Sequence, residues 1–178
     1  MNQYLVLTVI SDDRPGVVQK LAKVISDHHG NWLESRMSHL AGKFAGILQV
    51  GVAEEHRQAL QQALKALSKD GLQVVAEPAN PGAAGQYQEF HFSVVGADRT
   101  GIVAEISQAF AERNISVDEL ETDTSSMPWS GEPMFEATGI IHVPAGVNLN
   151  DLYDNLDLIA DELAIDVRLE TPPESQTA

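Results

Sequence analysis

The chain alternates between two hydrophobic rhythms. Tyr4 to Ile10 is β-rich and almost continuously apolar, which predicts a central strand. Val17, Val18, Leu21, Val24 and Ile25 then recur at helical spacing, with Gln19, Lys20 and Lys23 on the other side. The spacing predicts a helix that starts at Pro15-Gly16, because proline suits a first helical turn, and ends at His29-Gly30, with Gly30 as the left-handed stop. Trp32 to Leu40 and Phe44 to Val52 read as two strands around the turn Ala41-Gly42-Lys43, with Phe44, Leu48, Val50 and Val52 on one face of the second. His56 to Lys69 carries Leu60, Ala63, Leu64 and Leu67 at helical spacing, Asp70-Gly71 closes it, and Leu72 to Val75 is a last strand. The order is βαββαβ.

The same order then repeats. Phe90 to Val95 is a strand; Ile102, Val103, Ile106, Ala109 and Phe110 mark a helix. Ser116 to Thr124 and Met134 to Val143 are strands, Leu149, Leu152, Leu156, Ile159 and Leu163 mark a second helix, and Ile165 to Leu169 closes the unit. The turns after the two first strands are similar: Asp13, Arg14 and Gly16 match Asp98, Arg99 and Gly101. Between the copies, Glu77 to Gly85 is rich in proline and glycine and lacks periodicity, as a linker does. The expectation is an α+β fold of two ferredoxin-like βαββαβ domains in tandem, with antiparallel sheets and helices on one face. The boundaries are 1–77 and 89–170 for the domains, 78–88 for the linker and 171–178 for a disordered tail. The copies differ between their middle strands, where the second has the long loop Ser125 to Pro133 carrying Met127 and Trp129, a segment suited to covering a ligand or contacting another protein.

Charge narrows the functional classes. The net charge is -15, and it is uneven: residues 1–76 hold 8 Lys+Arg and 7 Asp+Glu, whereas residues 77–178 hold 3 and 19. Direct nucleic-acid binding draws on cationic side chains, so an acidic chain points away from it. The acidic half suits either simple solubility or a basic protein partner. With no cysteine, disulfides and thiolate chemistry are excluded. The apolar run Tyr4 to Ile10 is too short for a signal peptide or membrane span, so a cytoplasmic protein with no membrane partner is expected.

The tandem βαββαβ units, with Asp-Arg-Pro-Gly-Val-Val after the first strand and Asp-Arg-Thr-Gly-Ile-Val after its counterpart, resemble the ACT domain family. Two such domains and nothing else look like the glycine cleavage system transcriptional repressor family, whose helix-to-strand junction the stretch His29 to Met37 also resembles. The resemblance covers roughly residues 3–170 and implies a non-enzymatic amino-acid sensor. Family members act by binding an activator protein of the glycine cleavage genes, with glycine as the expected signal. An alternative implied class is a regulatory ACT subunit of an amino-acid or one-carbon enzyme, since formyltetrahydrofolate deformylase carries a similar N-terminal domain. ACT domains commonly pair, so a homo-oligomer is also implied.

The repeated turn then acquires a candidate chemistry. Backbone N–H groups at a helix N-terminus suit a ligand carboxylate, and Gly16 and Gly101 let the backbone approach it. Asp12, Asp13 and Asp98 are candidates for the ammonium group, and Asp12 or Asp13 doubles as a helix cap. Asn31, opening the next strand, is expected at the same edge; its counterpart is Ser116. Pro15 is replaced by Thr100, so the two sites need not be equivalent. Arg14 and Arg99 either bind the carboxylate or pair with neighbouring aspartates. On the last helix, Asp154, Asp157 and Asp161 form one stripe opposite the leucines, a candidate surface for a basic partner. Glu119, Glu121 and Asp123 share a strand face and read as solvated. His28, His29, His39, His56, His91 and His142 fall in no recognised zinc spacing, so no metal, cofactor or catalytic residue is expected.

Overall fold

The computed structural model describes residues 2–79 and 86–172. The centre of the expected linker, 80–85, and residues 173–178 of the expected tail lie outside the described residues. The chain divides into two compact units, Met1–Gly82 and Ala83–Ala178.

In the first unit the elements run β1 (Asn2–Asp12), α1 (Val17–Asp27), β2 (Asn31–Leu40), β3 (Lys43–Ala53), α2 (Glu54–Ala66) and β4 (Leu72–Pro78), with a 3-10 turn at Leu67–Asp70. The strands form an antiparallel sheet in the order β2-β3-β1-β4. The pleat turns Leu5, Leu7 and Val9 to one side, where they meet Leu48 and Val50 of β3, Leu21 and Ile25 of α1, and Leu60 and Leu64 of α2. Both helices therefore cover the same face of the sheet.

The second unit repeats this with β5 (Tyr87–Ala97), α3 (Ile102–Ala111), β6 (Ser116–Ser126), β7 (Pro133–Pro144), α4 (Leu149–Leu163) and β8 (Ile165–Glu170). Its sheet order is β6-β7-β5-β8. Phe90, Phe92 and Val94 replace the leucines and valine of β1, and the core is completed by Ile106 and Phe110 of α3 and Leu152 and Leu156 of α4. The facing positions exchange volume: Leu7 lies opposite Leu48 in the first sheet, Phe92 opposite Gly139 in the second. A Cβ on Gly139 would stand 2.5 Å from the Phe92 ring, so the larger ring requires the missing side chain.

Several local expectations are corrected. Helix α1 begins at Val17, not at Pro15, because Gly16 adopts a left-handed φ of 90° as its N-cap and cannot continue a right-handed turn. No side chain caps this helix, so Asp12 and Asp13 are not caps; Asp12 belongs to β1 and its carboxylate bonds Lys43. At the other end the left-handed residue is His29, with φ 58°, and not Gly30. Gly30 has a different reason: a Cβ there would lie 2.8 Å from the Ile25 side chain and 3.1 Å from that of Val50. Helix α2 starts two residues earlier than the spacing predicts and tightens to the 3-10 turn after Ala66.

Candidate functional site

The two Asp-Arg-X-Gly turns have the same backbone. Gly16 and Gly101 have φ of 90° and 105°, and each carbonyl accepts the first helical bond, from Lys20 and Glu105, at 2.9 Å. The N–H groups of the first helical turn are left without intrahelical acceptors and open toward the turn. Asp13 N–H donates to the Gly42 carbonyl at 2.9 Å, and Asp98 N–H to the Pro133 carbonyl at the same distance, so each turn is tied to the hairpin beside it.

The conserved geometry also explains the repeated arginine. Arg14 donates from its guanidinium to the Asp70 carbonyl, and Arg99 reaches the Glu162 carbonyl at 3.4 Å. Both carbonyls end the second helical segment of their unit, where the helix dipole favours a cation. Neither arginine pairs with the aspartate beside it. The tighter contact in the first unit has a cause at Gly71: a Cβ there would stand 2.8 Å from Arg14 Nη2. The residue before β8 is Ala164, which carries that Cβ, also at a left-handed φ of 53°.

Around the first turn the surface is a solvent-open cleft of about 600 Å³, lined by Asp12, Arg14, Pro15, Gly16, Val17 and Lys20 on one side and by Lys69, Asp70, Gly71 and Leu72 on the other. Lys20 Nζ pairs with Asp70 Oδ2 at 2.6 Å. Hydrogen bonding from Lys43 holds the Asp12 carboxyl below its ordinary range, and Lys20 does the same for Asp70. Both acids are thus already engaged by lysines. Arg14, Lys20 and Lys69 make the cleft cationic on balance, which suits a carboxylate placed over the helix N-terminus.

The second turn lacks this charge. Position for position, Lys20 becomes Glu105, and Lys43, opposite Asp12 in the sheet, becomes Met134 opposite Ala97. Lys69, two residues before the left-handed Gly71, becomes Glu162, two before Ala164. At the matching positions Arg99 is accompanied by Asp98, Glu105 and Glu162. The charge difference between the two turns was readable by laying one copy of the repeat on the other. The lysines themselves are dispersed over three elements, and only the fold gathers them.

Asn31 and Ser116 do not join these turns within their own units. Asn31 lies opposite Gly51, which pairs with Tyr4, at the far end of β1 from Asp12. Eight residues of strand separate the two ends, roughly 26 Å. Helix α1 runs back along the sheet before β2 begins, which is what carries Asn31 away. Ser116 lies opposite His142, which pairs with Glu89, at the matching end of the second sheet.

Other expected features fall on the surface. Asp154, Asp157 and Asp161 are exposed along α4, opposite the buried Leu152 and Leu156. Glu121 and Asp123 are exposed on β6, opposite Thr138 and Glu136. Among the described residues no group of three or more His, Asp or Glu side chains has a metal-binding arrangement. Nor is any described helix long and apolar enough to cross a membrane.

These observations define two βαββαβ units in tandem, with a solvent-open cleft at the first Asp-Arg-Pro-Gly turn. Residues 3–77 and residues 92–148 each match an ACT domain. The chain belongs to the ACT-domain family and is an ACT-domain regulatory protein. ACT domains generally bind small amino-acid ligands. An unknown protein from Galdieria sulphuraria is similar in structure over 97% of this chain and 100% of its own, with 26% identity and a TM-score of 0.83. A protein proposed to be a glycine cleavage system transcriptional repressor is similar over 98% of this chain and 99% of its own, with 20% identity and a TM-score of 0.71. No curated protein sequence matches the chain.

Proposed function

We propose that this protein is a cytoplasmic, non-catalytic amino-acid sensor whose first unit binds the ligand, and that it represses glycine cleavage genes by contacting a transcriptional activator rather than DNA. The observation that carries the sensing half is the cationic cleft at the first Asp-Arg-Pro-Gly turn. There Gly16 and the N-terminus of α1 face Arg14, Lys20 and Lys69. The ligand carboxylate sits over the helix N-terminus, and Asp13 takes the ammonium group. Asp12 is bonded to Lys43 and supports the turn from below. The anion-poor chemistry of a carboxylate site is missing at Asp98, Thr100 and Gly101, so the second turn is not a second copy of the sensor. Glycine is the expected ligand because of the resemblance to glycine cleavage repressors and the full-length likeness to a protein proposed to be one.

The regulatory half rests on charge. The exposed stripe Asp154, Asp157 and Asp161 offers a basic partner surface one line of carboxylates. Calorimetric titration of the full chain with glycine, serine and alanine tests the sensor. Selective glycine heat that disappears in Gly16→Val, which cannot hold the left-handed turn, supports it. The absence of heat with every amino acid, with the fold intact, counts against it. Reversing the three aspartates to lysine tests the partner surface, and undiminished capture of the activator would refute that assignment.

A further inference from the structure

The β6–β7 loop and the C-terminal end of α4 meet at one end of the second unit. Asp98 N–H donates to the Pro133 carbonyl at 2.9 Å, where the loop returns to the sheet. Arg99 reaches the Glu162 carbonyl at 3.4 Å, in the last turn of α4. Two neighbouring residues thus tie the loop and the helix end to the same turn. The exposed stripe of α4 runs toward that end: Asp161 lies about 10 Å along the axis from Asp154, and Glu162 follows it directly.

Here the second hairpin outgrows the first. Six residues, 127–132, join β6 to β7, whereas two, 41–42, join β2 to β3. The longer connection carries Trp129, which is 100% exposed. It is also braced. Met127 N–H donates to the Glu132 carbonyl at 2.8 Å, Gly131 N–H to the Met127 carbonyl at 2.9 Å, and Glu132 N–H to Ser130 Oγ at 3.3 Å. A fully hydrated indole adds nothing to the core of its own unit, so packing gives no reason for it. A braced turn that presents such a ring has little conformational freedom left to lose when a partner covers it.

We infer that Trp129 is the apolar anchor of the partner contact, its indole entering an apolar pocket on a basic protein whose lysines and arginines rim that pocket and follow the α4 stripe. This rests on the reading of the partner as a basic transcriptional activator, and it adds an anchoring residue to that reading. Charge selects the occupant. Glu132 stands in the loop, Asp98 in the turn, Glu105 in the first turn of α3, and Asp161 and Glu162 at the end of α4, all of them exposed. A second copy of the chain would set the same acids against these, whereas a basic surface complements them. Tryptophan is enriched among the residues that dominate binding, because it covers about 150–250 Å² with only two side-chain torsions to immobilise. The acids speed and orient encounter, and the buried indole slows dissociation.

The test uses the full chain with fluorotryptophan at both of its tryptophans, Trp32 and Trp129, so that fluorine NMR reads each ring separately. Purified, unlabelled activator is the probe. The expected result is that the Trp129 resonance shifts on addition of the activator while that of Trp32 stays. In calorimetry Trp129→Ser should weaken the Kd about 30-fold or more, as loss of a central aromatic anchor does. Trp129→Phe, which keeps a ring, should lose less. Equal affinity of the parent and Trp129→Ser, or a Trp129 resonance that the activator leaves in place, overturns the inference while the α4 stripe stands as a contact. A Trp129 resonance that moves with chain concentration, or with glycine before any activator is added, overturns it by making a second copy or the ligand the cover of the ring. A parent chain that does not bind the activator at all refutes the partner reading itself, and the anchor falls with it.

Discussion

Lys20→Glu gives the first cleft the residue that the second has at Glu105, and it is the sharpest test of what makes the two turns different. Lys20 is 47% exposed and paired with Asp70 across the cleft at 2.6 Å. Take a ligand carboxylate about 5 Å from the ammonium group. At that separation one charge pair is worth roughly 1 kcal/mol in a water-like medium and roughly 3 kcal/mol at an effective dielectric of 20. Half exposure places the value at the lower end. Reversing the charge loses the attraction and adds a repulsion of similar size, about 2 kcal/mol in all, or about 30-fold in Kd. The folding cost is small, because exposed pairs such as Lys20–Asp70 contribute about 0–1 kcal/mol. Calorimetry at low salt, with thermal melts as a control on folding, measures both. The expected outcome is a Kd about 30-fold weaker, a melting temperature within a few degrees of the parent, and a smaller defect at high salt. An unchanged Kd in a folded Lys20→Glu protein, with Gly16→Val still abolishing binding, would mean that the backbone alone holds the ligand. The charge argument for the first turn would then fail.

Arg14→Ala should destabilise the first unit by about 1 kcal/mol, and Arg99→Ala the second by less, since Arg99 makes the longer contact; amide hydrogen exchange at Gly71 and Ala164 reads the units separately. Because Lys43 lowers the Asp12 pKa in the folded state, the bond's stabilising effect is complete above the ordinary value of 3.8 and is lost as pH falls through the lower folded value. Lys43→Met, which imports the residue of the second unit, should move the Asp12 carboxyl titration seen by NMR back toward 3.8. Gly139→Ala should cost about 1–3 kcal/mol or more by overpacking, as its Cβ meets the Phe92 ring and the Glu119 carbonyl together, and a denaturant midpoint that does not move would refute the volume exchange.

The fold was legible because its signals are local and doubled. Alternation in the strands, helical spacing in the helices and the repeated turn each pointed to the same order. What was not legible depends on distant atoms. Gly30 looked like a left-handed stop, but its glycine is required by Ile25 and Val50, the latter twenty residues away, while His29 makes the turn. Asn31 looked close to the Asp-Arg-Pro-Gly turn because it follows the same helix. In the fold that helix is the return path, so closeness in order became distance across the sheet. Arg14 looked like a ligand or an aspartate partner, whereas its acceptor is a carbonyl 56 residues on. The cleft's cations come from β1–α1, α1 and the 3-10 turn, and no window of sequence holds them together.

Comparing the repeats position by position separates what the fold needs from what each copy has been free to change. The left-handed Gly16 and Gly101, the arginine reaching the end of the second helix, and the tie from Asp13 or Asp98 to the neighbouring hairpin are in both units. Architecture is sufficient reason for them, and being common to both units they do not distinguish one turn from the other. The side chains that differ carry the functional argument. In the first unit, lysines fill the cleft and Trp32 and Met37 pack over the core. In the second, acids replace the lysines at Glu105 and Glu162, and Phe90, Phe92 and Phe110 enlarge the core while Val117 and Thr122 stand where the first unit has Trp32 and Met37. A turn whose one arginine stands among acids is poorly suited to an anion. The acids that weaken the second turn as an anion site fit the proposed division, in which the first unit holds the ligand and the acidic stripe of α4 meets the partner.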